Sequence, residues 1–377
     1  MKEGAGYYQD IWDWQDSFSE MASPPADRGC VIPFDFGGIA VFDAPKGMET
    51  VIHRYLTPYS LQPEGGYAAV IPFGRVLGRS GSVLAADGKL IAELSQEYDE
   101  QQHRMMTAAE HPVLCKRSEQ KLTTFHGTAA LLTFCGSHNY FHWLYDVLPR
   151  LGMLLALDIT YHSLIMNPNP NGPFVSETLS MFGIQESSVI RTDDQMNLQA
   201  DRLIVPSLMM NSHYPPWSTS ILRRHMLPFR DTGLSAPERI FISRRKALSR
   251  RIVNESDLIN CLDTFGFVVI DLEDWSVAQQ IQLFSSAQAI VGPHGAGLAN
   301  LAFCSPGTQV IEIFHIRHIV PTYWMISNHN KLDYYMLYGQ EQVALSSSFA
   351  GLEDYYVDPD RLKQTLEFAG IGLLEGS

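Results

Sequence analysis

Along most of the chain, short apolar runs alternate with longer stretches whose apolar positions recur every three or four residues. TAALLTF (128–134), HSLIMN (162–167), SVIRT and RLIVPS read as strands. SHNYFHWLYDVLPRLGMLLAL (137–157), VSETLSMFG (175–183) and WSTSILRRHMLPF (217–229) read as helices. In 137–157, Ser137 offers an N-cap and Pro149, which lacks an N–H, predicts a kink. A linker, RDTGLSAPE, covers 230–238, and the alternation then resumes. ERIFISR (238–244), FVVID (267–271), QAIVG (288–292) and QVIEIF (309–314) are strands, with helices at 255–266, 276–287 and 295–304. Strands joined through helices need crossover connections and pair in parallel. Two such series on either side of a linker predict an α/β protein with two Rossmann-like lobes.

The rest of the pattern is less regular. Residues 31–125 carry short β-like runs such as VIPFDFGGIAVF and YAAVIPFGRVLG, with turn signals at Gly78–Gly81 and Ala86–Gly88. The expected organisation is an N-terminal arm (1–30, with Pro24–Pro25) and an N-terminal lobe (31–230) that begins β-rich. A C-terminal α/β lobe (231–345) and a helical segment (346–377) packing back on the lobes complete it.

Composition narrows the classes. Of 377 residues, 45% are apolar and 18% charged, so a large core can form and general disorder is excluded. Lys+Arg 27 against Asp+Glu 41 gives −14, which disfavours a nucleic-acid or anionic-membrane coat. The five cysteines (Cys30, Cys115, Cys135, Cys261 and Cys304) form no C-x-x-C pair, so a zinc ribbon and a dithiol motif are not indicated. The N-terminus shows no secretory pattern, and apolar runs such as LGMLLAL (151–157) are too short to span a bilayer. The expectation is a cytoplasmic protein without a transmembrane segment, at most peripheral to the inner face of the cell membrane.

Three segments carry candidate chemistry. In VGPHGAGLAN (291–300) a strand runs into a Gly-rich turn and a helix start. Gly295 and Gly297 permit positive φ, and His294 stands at the mouth of the turn. The turn suits a phosphate; the competing reading is a plain βα turn packed by glycine. Glu312, near a strand end, suits ribose hydroxyls or a structural hydrogen bond. SRRKALSRR sets Arg244, Arg245, Lys246, Arg250 and Arg251 directly after a strand in an acidic chain. Guanidinium forks match diphosphate oxygens, and two are expected to touch one ligand; the alternative is a solvated loop. His138, His142, Asp146 and Arg150 recur at i, i+4 and share a helix face. A His–Asp general base, a structural hydrogen-bond set and a metal site remain open for them, the last without an H-E-x-x-H motif.

NYFHWLYDVLPRL, IFISRRKALSRRIVNE and VGPHGAGLANLAFCSPGTQVIEIF, in this order, resemble the signature blocks of glycosyltransferase family 61, over about 125–340. The resemblance implies a GT-B architecture and inverting transfer from a nucleotide sugar, typically UDP-linked, to a glycan hydroxyl; arginines and a helix N-terminus can neutralise the leaving diphosphate, so no metal cofactor is expected. It also implies that Arg244, Arg245, Arg250 and Arg251 face the diphosphate, that His294, Gly295, Ala296 and Gly297 cradle it, and that Glu312 lies in the donor lobe. His142 and Asp146 become the catalytic candidates, with His138, Asn139 and Arg150 on the acceptor side. The lack of a secretory anchor resembles the bacterial members tied to capsular polysaccharide synthesis, where association with an assembly complex is expected. Two rivals stand beside this reading: a nicotinamide-dependent oxidoreductase using the Gly-rich turn, and a non-catalytic glycan-binding protein of the same fold.

Overall fold

The computed structural model describes residues 6–19, 29–49, 52–115, 120–168, 173–209, 213–341, 351 and 353–374. Two compact units are present, one drawn from Met1–Gly37 and Pro63–Ser218, the other from Gly38–Gln62 and Thr219–Ser377. The chain passes between them at Ser218, inside the helix Pro216–Met226 and ahead of the 230–238 linker. Residues 38–62 are an excursion into the second unit, where Trp324 Nε1 donates to the Asp43 carbonyl (2.8 Å) and Lys46 N–H to the Tyr334 carbonyl (2.8 Å).

The first unit is built on a mixed sheet. Asn197–Pro206, Thr123–Leu131, Ser163–Met166 and Val189–Arg191 run parallel in that order. On the other edge of Asn197–Pro206 the sheet continues antiparallel through Gly66–Pro72 and Arg75–Leu77, then Ser82–Leu84 and Leu90–Ile91. The 78–81 and 86–88 turns close these hairpins, with Gly78, Gly81 and Gly88 at positive φ as such turns require. Residues 6–19 are not a free arm. Tyr7–Tyr8 adds to the sheet beside Leu90–Ile91, and the helix Ile11–Ser19 buries Ile11 and Trp14, whose i, i+3 spacing puts them on one face of the core. Residues 20–28 of the expected arm lie outside the described residues, as do 346–350.

The second unit holds a six-stranded sheet in the order Val268–Ile270, Arg239–Ile242, Ala289–Pro293, Gln309–His315, Asp333–Glu341, Tyr355–Tyr356, parallel except at the last pair. Numbered along the chain, the first five strands stand 2-1-3-4-5. Such a sheet reverses its winding between strands one and three, and the loops leaving those two strands diverge to open a crevice. Here they are the basic loop after Ile242 and the glycine turn after Pro293. The C-terminal helix Pro359–Phe368 packs within this unit, with Leu362 and Leu366 in the cluster that holds Leu258, Leu262 and Phe265. No helix among the described residues is long and apolar enough to cross a membrane.

Candidate active site

Strand order brings the basic loop to the glycine turn, and local pairing then sorts the arginines. Arg245 donates from Nε to Asp271 Oδ1 (3.0 Å) and from Nη2 to Asp271 Oδ2; Lys246 Nζ lies 2.5 Å from Asp274. Arg251 forks onto Asp354 Oδ2 at 2.9 and 2.7 Å. These cations are neutralised at the surface, which corrects the expectation that Arg245 and Arg251 face a diphosphate. Arg244 and Arg250 differ: they donate to the carbonyls of Ser249 and Gly351 respectively, and the Nε of each is buried without a partner among the described residues. Arg250 sits at φ +56°, left-handed backbone that residues other than glycine rarely adopt and that clusters at functional sites. The two guanidinium groups repel, and burial reinforced by Arg244 lowers the pKa of Arg250. Two half-buried cations this close, each with a buried unpartnered Nε, form a local positive site that suits an anion.

The glycines serve close approach, not left-handed backbone. Gly295 is extended (φ 174°), and neither it nor Gly297 has positive φ, contrary to expectation. A Cβ on Gly295 would stand 2.1 Å from Arg244 Nη1, and one on Gly297 2.5 Å from Leu272 Cδ1. The expected α-helix at 295–304 is a run of tight 3₁₀ turns, Ala296–Phe303, opened by the bond from Leu298 N–H to the Gly295 carbonyl (2.9 Å).

His294 and Glu312 meet because their strands pair: Gly292 lies opposite Glu312, and His294 follows two residues on. His294 Nδ1 is 2.6 Å from Glu312 Oε1, and Tyr334 O–H donates to Glu312 Oε2 at 2.6 Å. Glu312 is fully buried and both its oxygens are engaged, so it does not present them to a ribose. Burial, opposed only by the Tyr334 hydrogen bond, raises its pKa well above the carboxylate range. Burial and then the charges of Arg250 and Arg244 push His294 down to about 3.

In the first unit the expected long helix is interrupted. Asn139, not Ser137, is the N-cap, its side-chain oxygen accepting from Phe141 N–H (2.9 Å). A short α-turn, Tyr140–His142, passes into π-helix over Trp143–Val147, and α-helix resumes at Leu148–Ala156. The wide turn precedes Pro149, whose ring clashes with the carbonyl four residues back. Leu148 N–H reaches instead to the Trp143 carbonyl, five residues back. Across this turn His142 Nδ1 lies 2.7 Å from Asp146 Oδ2, which also accepts from Tyr214 O–H at 3.2 Å. Asp146 is fully buried with Oδ1 unpartnered among the described residues, and burial, opposed by the His142 hydrogen bond, raises its pKa.

The His142 side chain is 33% exposed and lines a cavity of about 840 Å³ with His138, Asn139, Phe134, Arg79, Glu97 and Asn167, among others. Arg150 does not join them. It is 1% exposed and donates to the carbonyls of Pro206 (3.1 Å), Thr133 (2.7 Å) and Leu131 (3.1 Å), so the fourth member of the i, i+4 series holds the sheet ends together. The π-turn and Pro149 separate its direction from that of His142.

Sequence reasoning missed Tyr214, Tyr334 and the carboxylates Asp271 and Asp354. Asp271, closing the strand run FVVID next to the basic loop's strand, carried a signal; Tyr214 and Tyr334, distant in sequence from their partners, carried none. Among the described residues no three His, Cys, Asp or Glu side chains are grouped as a metal ion would need.

Residues 140–311 match the model of a family described as Glycosyltransferase 61. The protein O-linked-mannose beta-1,4-N-acetylglucosaminyltransferase 2 of Xenopus tropicalis is 32% identical over 83 residues, 21% of this chain and 14% of that protein. Its Homo sapiens counterpart is 31% identical over 86 residues, 22% and 15% of the two chains. Beta-1,2-xylosyltransferase XYXT1 of Oryza sativa subsp. japonica is 28% identical over 98 residues, 26% and 21% of the two. This chain thus spans about a fifth or less of the length of these relatives. Among solved structures, the dodecameric iron-containing heptosyltransferase TibC covers 87% of this chain and 95% of its own at 10% identity, with a TM-score of only 0.33.

Proposed function

We propose that the chain is a glycosyltransferase whose second unit binds a nucleotide-sugar diphosphate and whose first unit activates an acceptor hydroxyl. One observation carries the reading: Arg244 and Arg250, alone among the basic residues of the SRRKALSRR loop, have no carboxylate partner among the described residues and stand with His294 and Gly295 at the reversal point of the sheet. The Glycosyltransferase 61 match spans this loop and turn together with His142 and Asp146.

The chemistry follows from the residues. In an inverting transfer, an acceptor oxygen attacks the anomeric carbon while the diphosphate leaves from the opposite face. His142, its Nδ1 anchored by Asp146, offers Nε2 as the base that takes the hydroxyl proton, and the buried carboxylate stabilises the imidazolium that forms. Arg244 and Arg250 offset the negative charge developing on the leaving diphosphate, so the reading needs no metal. It extends to a GT-B organisation, one unit for donor and one for acceptor, to UDP as the nucleotide, and to a cytoplasmic enzyme of capsular or extracellular polysaccharide synthesis acting on a glycan acceptor. The oxidoreductase alternative loses the acidic residue it relied on, because Glu312 is committed to His294 and Tyr334.

The test is a panel of UDP-sugars with purified protein. Thermal shift compares UDP with NAD, and turnover is read as UDP release with and without EDTA. Stabilisation by UDP and sugar-dependent, EDTA-insensitive UDP release support the proposal. Stabilisation by NAD alone, or binding without turnover across acceptors, overturns it in favour of the oxidoreductase or the glycan-binding protein respectively.

A further inference from the structure

We infer that Glu312 and Tyr334 are positioning residues that fix His294 as the tautomer protonated on Nε2, making the ring a neutral hydrogen-bond donor to the phosphate oxygens that Arg244 and Arg250 attract. The inference rests on the diphosphate reading of this site and gives the buried acid a part in it.

The geometry leaves few choices. Tyr334 O–H already donates to Oε2, and the 2.6 Å line between Oε1 and Nδ1 must hold one proton. With that proton on nitrogen, Glu312 is a carboxylate at zero exposure hydrogen-bonded to a phenol and an imidazole, with no Lys or Arg hydrogen-bonded to it among the described residues. An ion pair of imidazolium and carboxylate would place a third positive charge beside Arg244 and Arg250. With the proton on Oε1, every member of the chain is neutral. Tyr334 O–H then donates to Oε2, Glu312 O–H to Nδ1, and Nε2 keeps the ring's remaining hydrogen.

The surroundings favour the same arrangement. His294 faces Arg244 and Arg250 from the basic loop, His318 (ring centroids 5.6 Å) and Tyr323 (5.0 Å), and it stacks on Phe314. Glu312 faces Tyr334 on the neighbouring strand and Tyr355 from the strand beyond it, whose O–H is spent on the Ile313 carbonyl (3.2 Å). None of these groups supplies a cation to the Glu312 end. Burial raises Glu312 and lowers His294, in keeping with a neutral pair. A buried carboxylic acid held neutral so that it can donate a hydrogen bond is a known device in catalysis.

Two measurements test this on the full chain. Nitrogen-15 histidine NMR of the wild-type protein should show His294 as the neutral Nε2–H form from pH 5 to 8, and an Nδ1–H form or an imidazolium in that range overturns the inference. Calorimetry with UDP should show Glu312→Ala weakening binding about tenfold and Glu312→Gln recovering most of the loss. The amide can donate to Nδ1 and accept from Tyr334 as the acid does, whereas an ionised Glu312 predicts equal loss in both variants. Should Glu312→Ala fail to fold, the wild-type spectrum still decides. Inorganic pyrophosphate, titrated in parallel, separates the two proposals. Pyrophosphate binding without UDP selectivity, with the Nε2–H form present, removes the nucleotide-donor reading and keeps the relay. UDP binding with an Nδ1–H ring removes the relay and keeps the donor reading. Failure of both ligands to bind overturns both.

Discussion

The guanidinium of Arg244 fills the space that a side chain at Gly295 would occupy, Nη1 lying 2.1 Å from the position of its Cβ. The glycine is therefore a steric permission for a cation. Gly295→Ala should push the flexible Arg244 head aside with little loss of stability, since the φ of 174° suits alanine. UDP affinity should fall about tenfold, the loss of one charge-assisted hydrogen bond. Calorimetry together with a melting curve checks this; an unchanged Kd would detach Arg244 from the ligand.

The arginines should separate into two classes. Arg244→Ala and Arg250→Ala are each expected to weaken UDP binding by about tenfold to a hundredfold, as loss of a charged hydrogen-bond donor does. Arg245→Ala and Arg251→Ala remove exposed partners of Asp271 and Asp354 and should change Kd by less than about threefold. Equal losses across all four would contradict the sorting seen in the loop.

His142→Ala should lower turnover about a hundredfold to ten-thousandfold while donor affinity holds, because a base acts only as the proton moves. Asp146→Asn should also lower turnover, since the amide no longer stabilises a charged imidazole. Steady-state kinetics with UDP calorimetry on the same preparations tests the pair; full turnover in His142→Ala would remove this histidine from the chemistry.

Acid should destabilise the second unit through His329. Its ring packs against Phe42 (ring centroids 5.6 Å) with both ring nitrogens buried and unpartnered among the described residues, and burial pushes it down to about 4. A histidine whose folded pKa lies below its unfolded value near 6.5 contributes stability that is complete above 6.5 and is lost as pH falls towards 4. The loss by pH 4 is about 3 kcal/mol. Urea denaturation from pH 7 to 4 should show it, and His329→Phe, which keeps the ring, should flatten the curve; a slope unchanged by that substitution would assign the acid sensitivity to other groups.

Period and punctuation made the secondary structure legible: strand runs from 128 to 314, the hairpin turns at 78–81 and 86–88, and helices closed by Gly183 and Gly266. The spacing of His142 and Asp146 also foretold a real pair, because residues four apart on a helical turn are neighbours whatever the fold. Arg150 still feels the charge of Asp146 four residues back, but its guanidinium is spent on the carbonyls of Pro206, Thr133 and Leu131, which the spacing did not foretell.

Sequence by itself thus determined the parallel α/β character of the chain, the clustering of basic residues after one strand and glycines after another, and the His–Asp contact, all set by local geometry. Only the tertiary structure decided which arginines keep their charge unpaired, why residue 295 has no side chain, and that Glu312 meets Tyr334 instead of solvent. Those outcomes depend on strand order and on acids at Asp271 and Asp354, and no local pattern encodes which distant carboxylate will reach a given cation first.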